Sequence, residues 1–262
     1  MYLELAKDVL DKEYCLKKKL ATKECGLDLV EEKIVHSYQV LGAGNMILRN
    51  EEVYKSCSSE EIDKLKATLL LHDLGRFEEA VSKGIDHGVW GAGMLKNIPE
   101  FNEPKIMLTV KHHGHLIESL YEDEEYVALK DDDKEEVKKY MFLVRDADKL
   151  ANFYLLSRKF LDMKDLFLCP LHRKISKDVS YVIRSDFMKN VSINKKDVVT
   201  IAEQALMILA CVFDLNYRAS FVFLNKMGVL EKFFRDVEEY FDNEDAKLFK
   251  KVLFDYIDEK LS

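Results

Sequence analysis

The sequence predicts an all-α protein, and three observations carry that expectation. Only three prolines and ten glycines occur in 262 residues. Lys, Glu, Leu and Asp dominate, a composition that favours long helices over a turn-rich β architecture. Apolar residues recur at helical spacing along most of the chain. With 48% hydrophobic residues there is ample material for a packed core, so we expect a single helical domain spanning 1–262.

The elements follow in order. Tyr2 to Leu20 reads as an amphipathic helix, and Leu27 to Arg49 as a second, with Val30, Ile34, Tyr38 and Leu41 on one face. Gly42 and Gly44 weaken that helix locally, although small residues also let helices approach closely. Ser58-Ser59-Glu60-Glu61 supplies a capping box for a third helix through Leu65, Leu69 and Leu70, ending near Gly75. Asp86-His87 precedes a helix through Val89, Trp90 and Met94 that Pro99 stops. Pro104 suits the first turn of another, which carries Ile106, Leu108 and Val110 and reaches His112-His113 before Gly114. Glu122 to Asp133 reads as a solvated loop or helix start, and Lys134 to Tyr154 as a helix. Phe167 to Lys196 has weak, mixed periodicity, consistent with a lid, a hairpin or irregular structure. A C-terminal helical extension from about 197 to 262 follows, with helices at Val198–Lys226, Leu230–Phe241 and Asp245–Leu261 for packing or homo-oligomerisation.

Composition excludes several classes of function. A formal charge of -8 argues against binding to a nucleic acid duplex, which needs a net basic surface, but leaves room for a small phosphorylated substrate. Five widely spaced cysteines without a Cys-x-x-Cys pair support neither a disulfide framework nor a thiolate zinc site. They read as reduced thiols of a cytoplasmic protein. The N-terminus lacks a signal-peptide apolar region, and the most apolar stretch, Ala205 to Phe213, is too short to span a bilayer.

The chemistry concentrates in the histidines. Six of the seven, His36, His72, His87, His112, His113 and His115, fall in less than a third of the chain. His72-Asp73 closes the leucine-rich run Leu69-Leu70-Leu71 in the last turn of its helix, where unpartnered polar side chains would cost several kcal/mol. A metal ion would offset that cost.

The ordered set His36, His72-Asp73, His87, His112-His113 and Asp148, the last within Ala147-Asp148-Lys149-Leu150, resembles the HD superfamily of metal-dependent phosphohydrolases over roughly Leu27 to Tyr154. The resemblance implies an HD-type helical bundle with its metal-site core at about 27–154 and additional C-terminal helices. It implies that His36, His72, Asp73 and Asp148 surround one ion, Asp148 closing the site with Asp146 as the rival two residues away. The added His87, His112 and His113 resemble the branch with a second metal, notably the HD-GYP phosphodiesterases, with Asp73 bridging two divalent transition-metal ions (Fe, Mn, Ni, Co or Zn). Gly114-His115-Leu116 stands where those proteins have a glutamate and then the Gly-Tyr-Pro segment, so the likeness extends to the metal set and not to that segment. Two such ions would leave a net positive pocket for phosphate, drop the pKa of a bound water and supply hydroxide for in-line attack. Arg76, one turn beyond His-Asp, is the candidate phosphate clamp, and with Asp73 the candidate catalytic pair.

The implied activity is hydrolysis of a small phosphate ester, most simply a nucleotide or cyclic nucleotide. An HD-fold di-iron oxygenase is the alternative chemistry, which the adjacent His112-His113 disfavours because those oxygenases use one histidine there. A non-catalytic metal-containing sensor is a third reading.

Overall fold

The computed structural model describes residues 1–21, 27–82, 84–158 and 173–262, and among these the chain is helical as expected, with one isolated parallel bridge between Lys174 and Thr200. Cys25 and Cys169, and the first part of the Phe167 to Lys196 stretch, lie outside the described residues. The chain divides into two compact units, 1–148 and 149–262, with the boundary inside one helix. No described helix is long and apolar enough to cross a membrane.

The first unit opens with α1 (Tyr2–Leu20) and α2 (Leu27–Asn50), both at their expected places. Gly42 and Gly44 do not interrupt α2. Gly44 lies against the Leu69 side chain, where an added Cβ would come within 2.3 Å of Leu69 Cδ1. α3 (Ser59–Leu71) starts at the Ser58 cap, whose hydroxyl accepts from the Glu61 N–H at 3.1 Å. Only that half of the expected capping box is described, because the Glu61 carboxylate accepts from Lys105 at 2.8 Å. α3 buries Leu65, Leu69, Leu70 and Leu71 against α1 and α2.

Short helices complete the unit: α4 (Arg76–Val81), α5 (His87–Leu95), α6 (Pro104–His112), α7 (Glu118–Tyr121) and α8 (Glu124–Val127). The long α9 (Asp131–Arg158) begins three residues before the expected Lys134, with Asp131, Asp132 and Asp133 favourably placed at the positive end of its dipole. Leu108, Leu120, Tyr126, Val137 and Met141 form a core cluster among α6, α7, α8 and α9.

Two glycines permit the backbone approaches that bring α4, α5 and α6 together. A Cβ on Gly75 would fall 2.0 Å from the His87 carbonyl oxygen, and one on Gly88 would fall 2.3 Å from that of Lys111. Backbone cannot give way as a flexible side chain can, so Gly88→Ala must push α5 from α6. The expected result is a loss of about 1–3 kcal/mol, the range of an overpacked core, seen as a lower urea midpoint with unchanged m-value.

In the second unit α10 (Tyr181–Met188) occupies part of the weakly periodic stretch. The single helix expected at Val198–Lys226 is two, α11 (Ile201–Ala210) and α12 (Arg218–Met227). Between them a 3₁₀ turn at Cys211–Asp214 leads into extended backbone at Leu215 and Tyr217, and the Asn216 side chain donates to the Asp214 carbonyl at 3.0 Å. That local bond competes with helix continuation, the usual behaviour of asparagine. Thr200 and Glu203 form a complete capping box at the start of α11. Gly228, at φ 58°, separates α12 from α13 (Val229–Val237), and α14 (Asn243–Leu261) closes the chain. Phe187, Phe213, Phe241 and Phe249 meet edge-on in this unit's core.

Candidate metal centre

Five elements of the first unit deliver side chains to one place. α2 carries His36; α3 ends at Leu71, with its leucines buried, and hands the chain to His72 and Asp73 in the following turn. α5 opens on His87 directly after the Asp86 cap, whose carboxylate accepts from the Val89 N–H at 3.0 Å. α6 ends on His112 with His113 as its cap, and α9 supplies Asp148. His36, His72, Asp73, His87 and His113 are all buried.

Asp73 lies between two pairs of imidazoles. Its Oδ2 is 3.9 Å from His36 Nε2 and 3.7 Å from His72 Nε2. Its Oδ1 is 3.6 Å from His87 Nε2 and 3.2 Å from His113 Nε2. The donor atoms fall into two clusters able to hold a metal ion, His36-His72-Asp73 and Asp73-His87-His113, with Asp73 common to both. Asp148 extends the first: its Oδ1 accepts from His36 Nε2 at 2.9 Å and stands 3.8 Å from His72 Nε2. Of the two rival aspartates it is thus Asp148 that meets the histidines.

Backbone carbonyls set the histidine tautomers. His72 donates its Nδ1–H to Leu69 O at 2.8 Å, and His113 donates its Nδ1–H to Val110 O at 2.9 Å. In a neutral ring that leaves Nε2 as a lone pair, aimed in both cases at carboxylate oxygens, which are themselves acceptors. His72 Nε2, His87 Nε2 and His36 Nδ1 are buried without a hydrogen-bond partner. Of these, His72 Nε2 and His87 Nε2 face the shared Asp73 carboxylate, and two such nitrogens beside acceptor oxygens fit a cation, with a backbone carbonyl orienting the His72 imidazole from its other side.

The electrostatics agree. Burial pushes His72 down to about 4 and His87 down to about 3, so both rings are neutral at pH 7 and ready to ligate. Burial alone would raise the Asp73 carboxyl, but Lys33, His72, His113 and Arg76 around it hold it well below the usual carboxylate range. Asp148, half-buried, also goes down despite its desolvation, chiefly through the hydrogen bond from His36.

The other expected residues distribute differently. Arg76 is at the site: its Nε lies 3.4 Å from Asp73 Oδ1, its Nη1 donates to Glu79, and its side chain remains 31% exposed. His112 departs from the expectation that both members of the pair turn inward. Its Nε2 donates to Asp123 at 2.7 Å and its Nδ1 accepts from the Ser119 hydroxyl at 3.1 Å, so neither nitrogen is offered to the Asp73 clusters. The reason is the rotation of about 100° between successive helix positions, which α7 and α8 exploit by presenting partners on His112's side. His115 pairs with Asp86 at 3.0 Å and is partly exposed.

Two residues escaped the sequence reading. Lys33 places its ammonium 3.0 Å from Asp73 Oδ2; it stands three residues before His36, and that spacing on one helix face was the available signal. Arg145, buried in α9, donates to the carbonyls of His113, at 3.0 Å, and His115.

A family model described as HD domain matches residues 34–152, a span that holds all of these metal-site residues except Lys33. No curated protein and no solved structure gives a significant match.

Proposed function

Residues 34–152 of this chain are an HD domain, and from that we propose that the protein is a metal-dependent phosphohydrolase cleaving a small phosphate ester, a nucleotide or cyclic nucleotide. The observation that carries the reading is the division of Asp73, one oxygen toward His36 and His72 and the other toward His87 and His113. His36, His72, Asp73 and Asp148 would hold one divalent ion; Asp73, His87 and His113 would hold a second. Such ions supply Lewis acidity toward a phosphoryl oxygen and make water a nucleophile near neutral pH.

The chain's own residues do the rest. Leu69 and Val110 carbonyls keep the Nδ1 protons in place, so that His72 and His113 present lone pairs without reorganisation. Lys33 and Arg76 balance the charges of Asp73 and Asp148, so about four added positive charges leave the pocket attractive to phosphate. Arg76 directs Nε toward Asp73 and Nη1 toward Glu79 yet is partly exposed, and its remaining N–H groups would serve a phosphoryl oxygen.

One observation favours a second reading. With His112 engaged by Asp123 and Ser119, a single histidine of the pair meets Asp73, the pattern expected of an HD-fold di-iron oxygenase. Metal analysis of untagged, anaerobically purified protein, followed by assays on the metal-loaded chain, decides between them. The hydrolase reading expects about two transition-metal ions per chain, about one after His113→Ala, two still after His112→Ala, and phosphate release from a nucleotide panel. Oxygen consumption by the iron-loaded protein, with no phosphate released, would replace it by the oxygenase reading.

A further inference from the structure

We propose that Arg145 is a positioning residue that fixes the second ligand cluster, holding the His113-Gly114-His115 turn so that His113 faces Asp73. The proposal rests on the binuclear reading above. Arg145 is buried, and a buried guanidinium must find acceptors to offset its desolvation. Among those acceptors are two carbonyls of one turn, His113 O at 3.0 Å and His115 O. His113 is the cap of α6, at the end where carbonyls are left over by the helix and a positive charge is favoured, and His115 follows two residues on in the same turn. Two charge-assisted bonds from one guanidinium nitrogen, Nη1, to two carbonyls fix the turn more firmly than a single neutral bond could.

The consequence for the site follows from what the turn carries. His113 is the cap of α6; its ring is tied to Val110 O at 2.9 Å on one side and stands 3.2 Å from Asp73 Oδ1 on the other. Gly114, next in the turn, lies against His87: an added Cβ would be 3.2 Å from His87 Nε2. One guanidinium therefore holds the backbone that both presents His113 and borders His87, the two imidazoles of the second cluster. Arg145 also precedes Asp148 by three residues on α9, one turn and one face away. A single helix thus reaches the first cluster through Asp148 and the second through Arg145, which ties the spacing of the two clusters to its rigidity.

The test compares Arg145→Lys and Arg145→Gln with the parent and with His113→Ala. Metal per chain is read by mass spectrometry after equilibration at limiting free metal, and folding by circular dichroism. Both Arg145 variants are expected to fold and to keep the first ion while binding the second about 10- to 100-fold more weakly, the usual scale for outer-shell changes at metal sites. Arg145→Lys should lose less than Arg145→Gln, because an ammonium still serves one carbonyl. Cobalt-loaded protein adds a spectroscopic readout: the visible bands of the second ion should shift or vanish while those of the first persist. Folded variants that bind both ions like the parent would overturn the proposal, as would failure of both variants to fold, which would assign Arg145 to global packing. A parent that holds one ion, unchanged by His113→Ala, would instead sink the binuclear reading itself.

Discussion

On the proposed binuclear hydrolase reading, Asp73→Asn is expected to release both metal ions and to abolish hydrolysis. The amide keeps the shape of the carboxylate but removes its charge, and it turns one of the two oxygens into a donor. In the wild type those oxygens serve different histidine pairs, His36 and His72 on one side and His87 and His113 on the other. No other described side chain belongs to both clusters. Substituting any single histidine removes one ligand from one ion, whereas Asp73→Asn removes charge from both. The loss in metal affinity should therefore exceed the roughly 10–100-fold typical of outer-shell changes. Metal content and phosphate release measured on the same preparation check this: retention of two ions by Asp73→Asn would show that the carboxylate does not bridge. Because Lys33 and Arg76 also lean on Asp73, the variant removes the Asp73 charge from Lys33 and leaves Arg76 with Glu79 alone of those two carboxylates, and it should melt at lower temperature without metal.

The metal-free protein should lose stability steeply as pH falls from about 6.5 toward 4, the interval between the ordinary histidine range and the folded-state values of the site. His72 is pushed down to about 4 and His87 to about 3 by burial. Both are neutral in the folded chain, while the unfolded chain takes up protons near 6.5. The unfolded state therefore binds more protons throughout the window, and unfolding becomes easier as pH drops. The contribution is complete above about 6.5 and is withdrawn progressively below it, each unit of difference being worth about 1.4 kcal/mol. Together the two rings withdraw several kcal/mol, a large part of an ordinary domain's stability. Asp73 and Asp148, held low by their cationic neighbours, add a loss only in the range below about 3.9 where unfolded carboxylates protonate. Urea midpoints of chelator-treated protein between pH 7.5 and 4.5 test this, with His72→Asn/His87→Gln expected to flatten the curve. An equally steep curve in the double variant would place the acid sensitivity elsewhere. Metal should abolish the dependence near neutrality and sharpen it at lower pH, since protons and ions compete for the same lone pairs.

Helix-forming composition and the 3.6-residue period made the fold class legible, and α1, α2 and α14 lie close to where their patterns place them. The pattern failed where a local polar contact or a special backbone angle intervened. Asn216 bonding to the Asp214 carbonyl splits one expected helix, and Glu61 turns to Lys105 instead of completing its cap. Both are choices between competing partners, and a linear pattern does not contain the competitor's position.

The site divides along the same line. The sequence alone supplied the candidate chemistry: imidazoles and carboxylates in an order matching the HD domain, which the structure brings together in clusters that could hold a metal ion. His36, His72, Asp73, His87, His113 and Asp148 were all readable as candidates from their order and spacing. Only the tertiary structure decided which nitrogen of each ring faces inward, that Asp148 rather than Asp146 meets His36, and that His112 turns to Asp123. It also brought in Lys33 and Arg145, which no motif marked. Spacing along a helix fixes a side chain's direction relative to its own axis, but what that direction meets is set by the neighbouring helices, here brought close by Gly75 and Gly88.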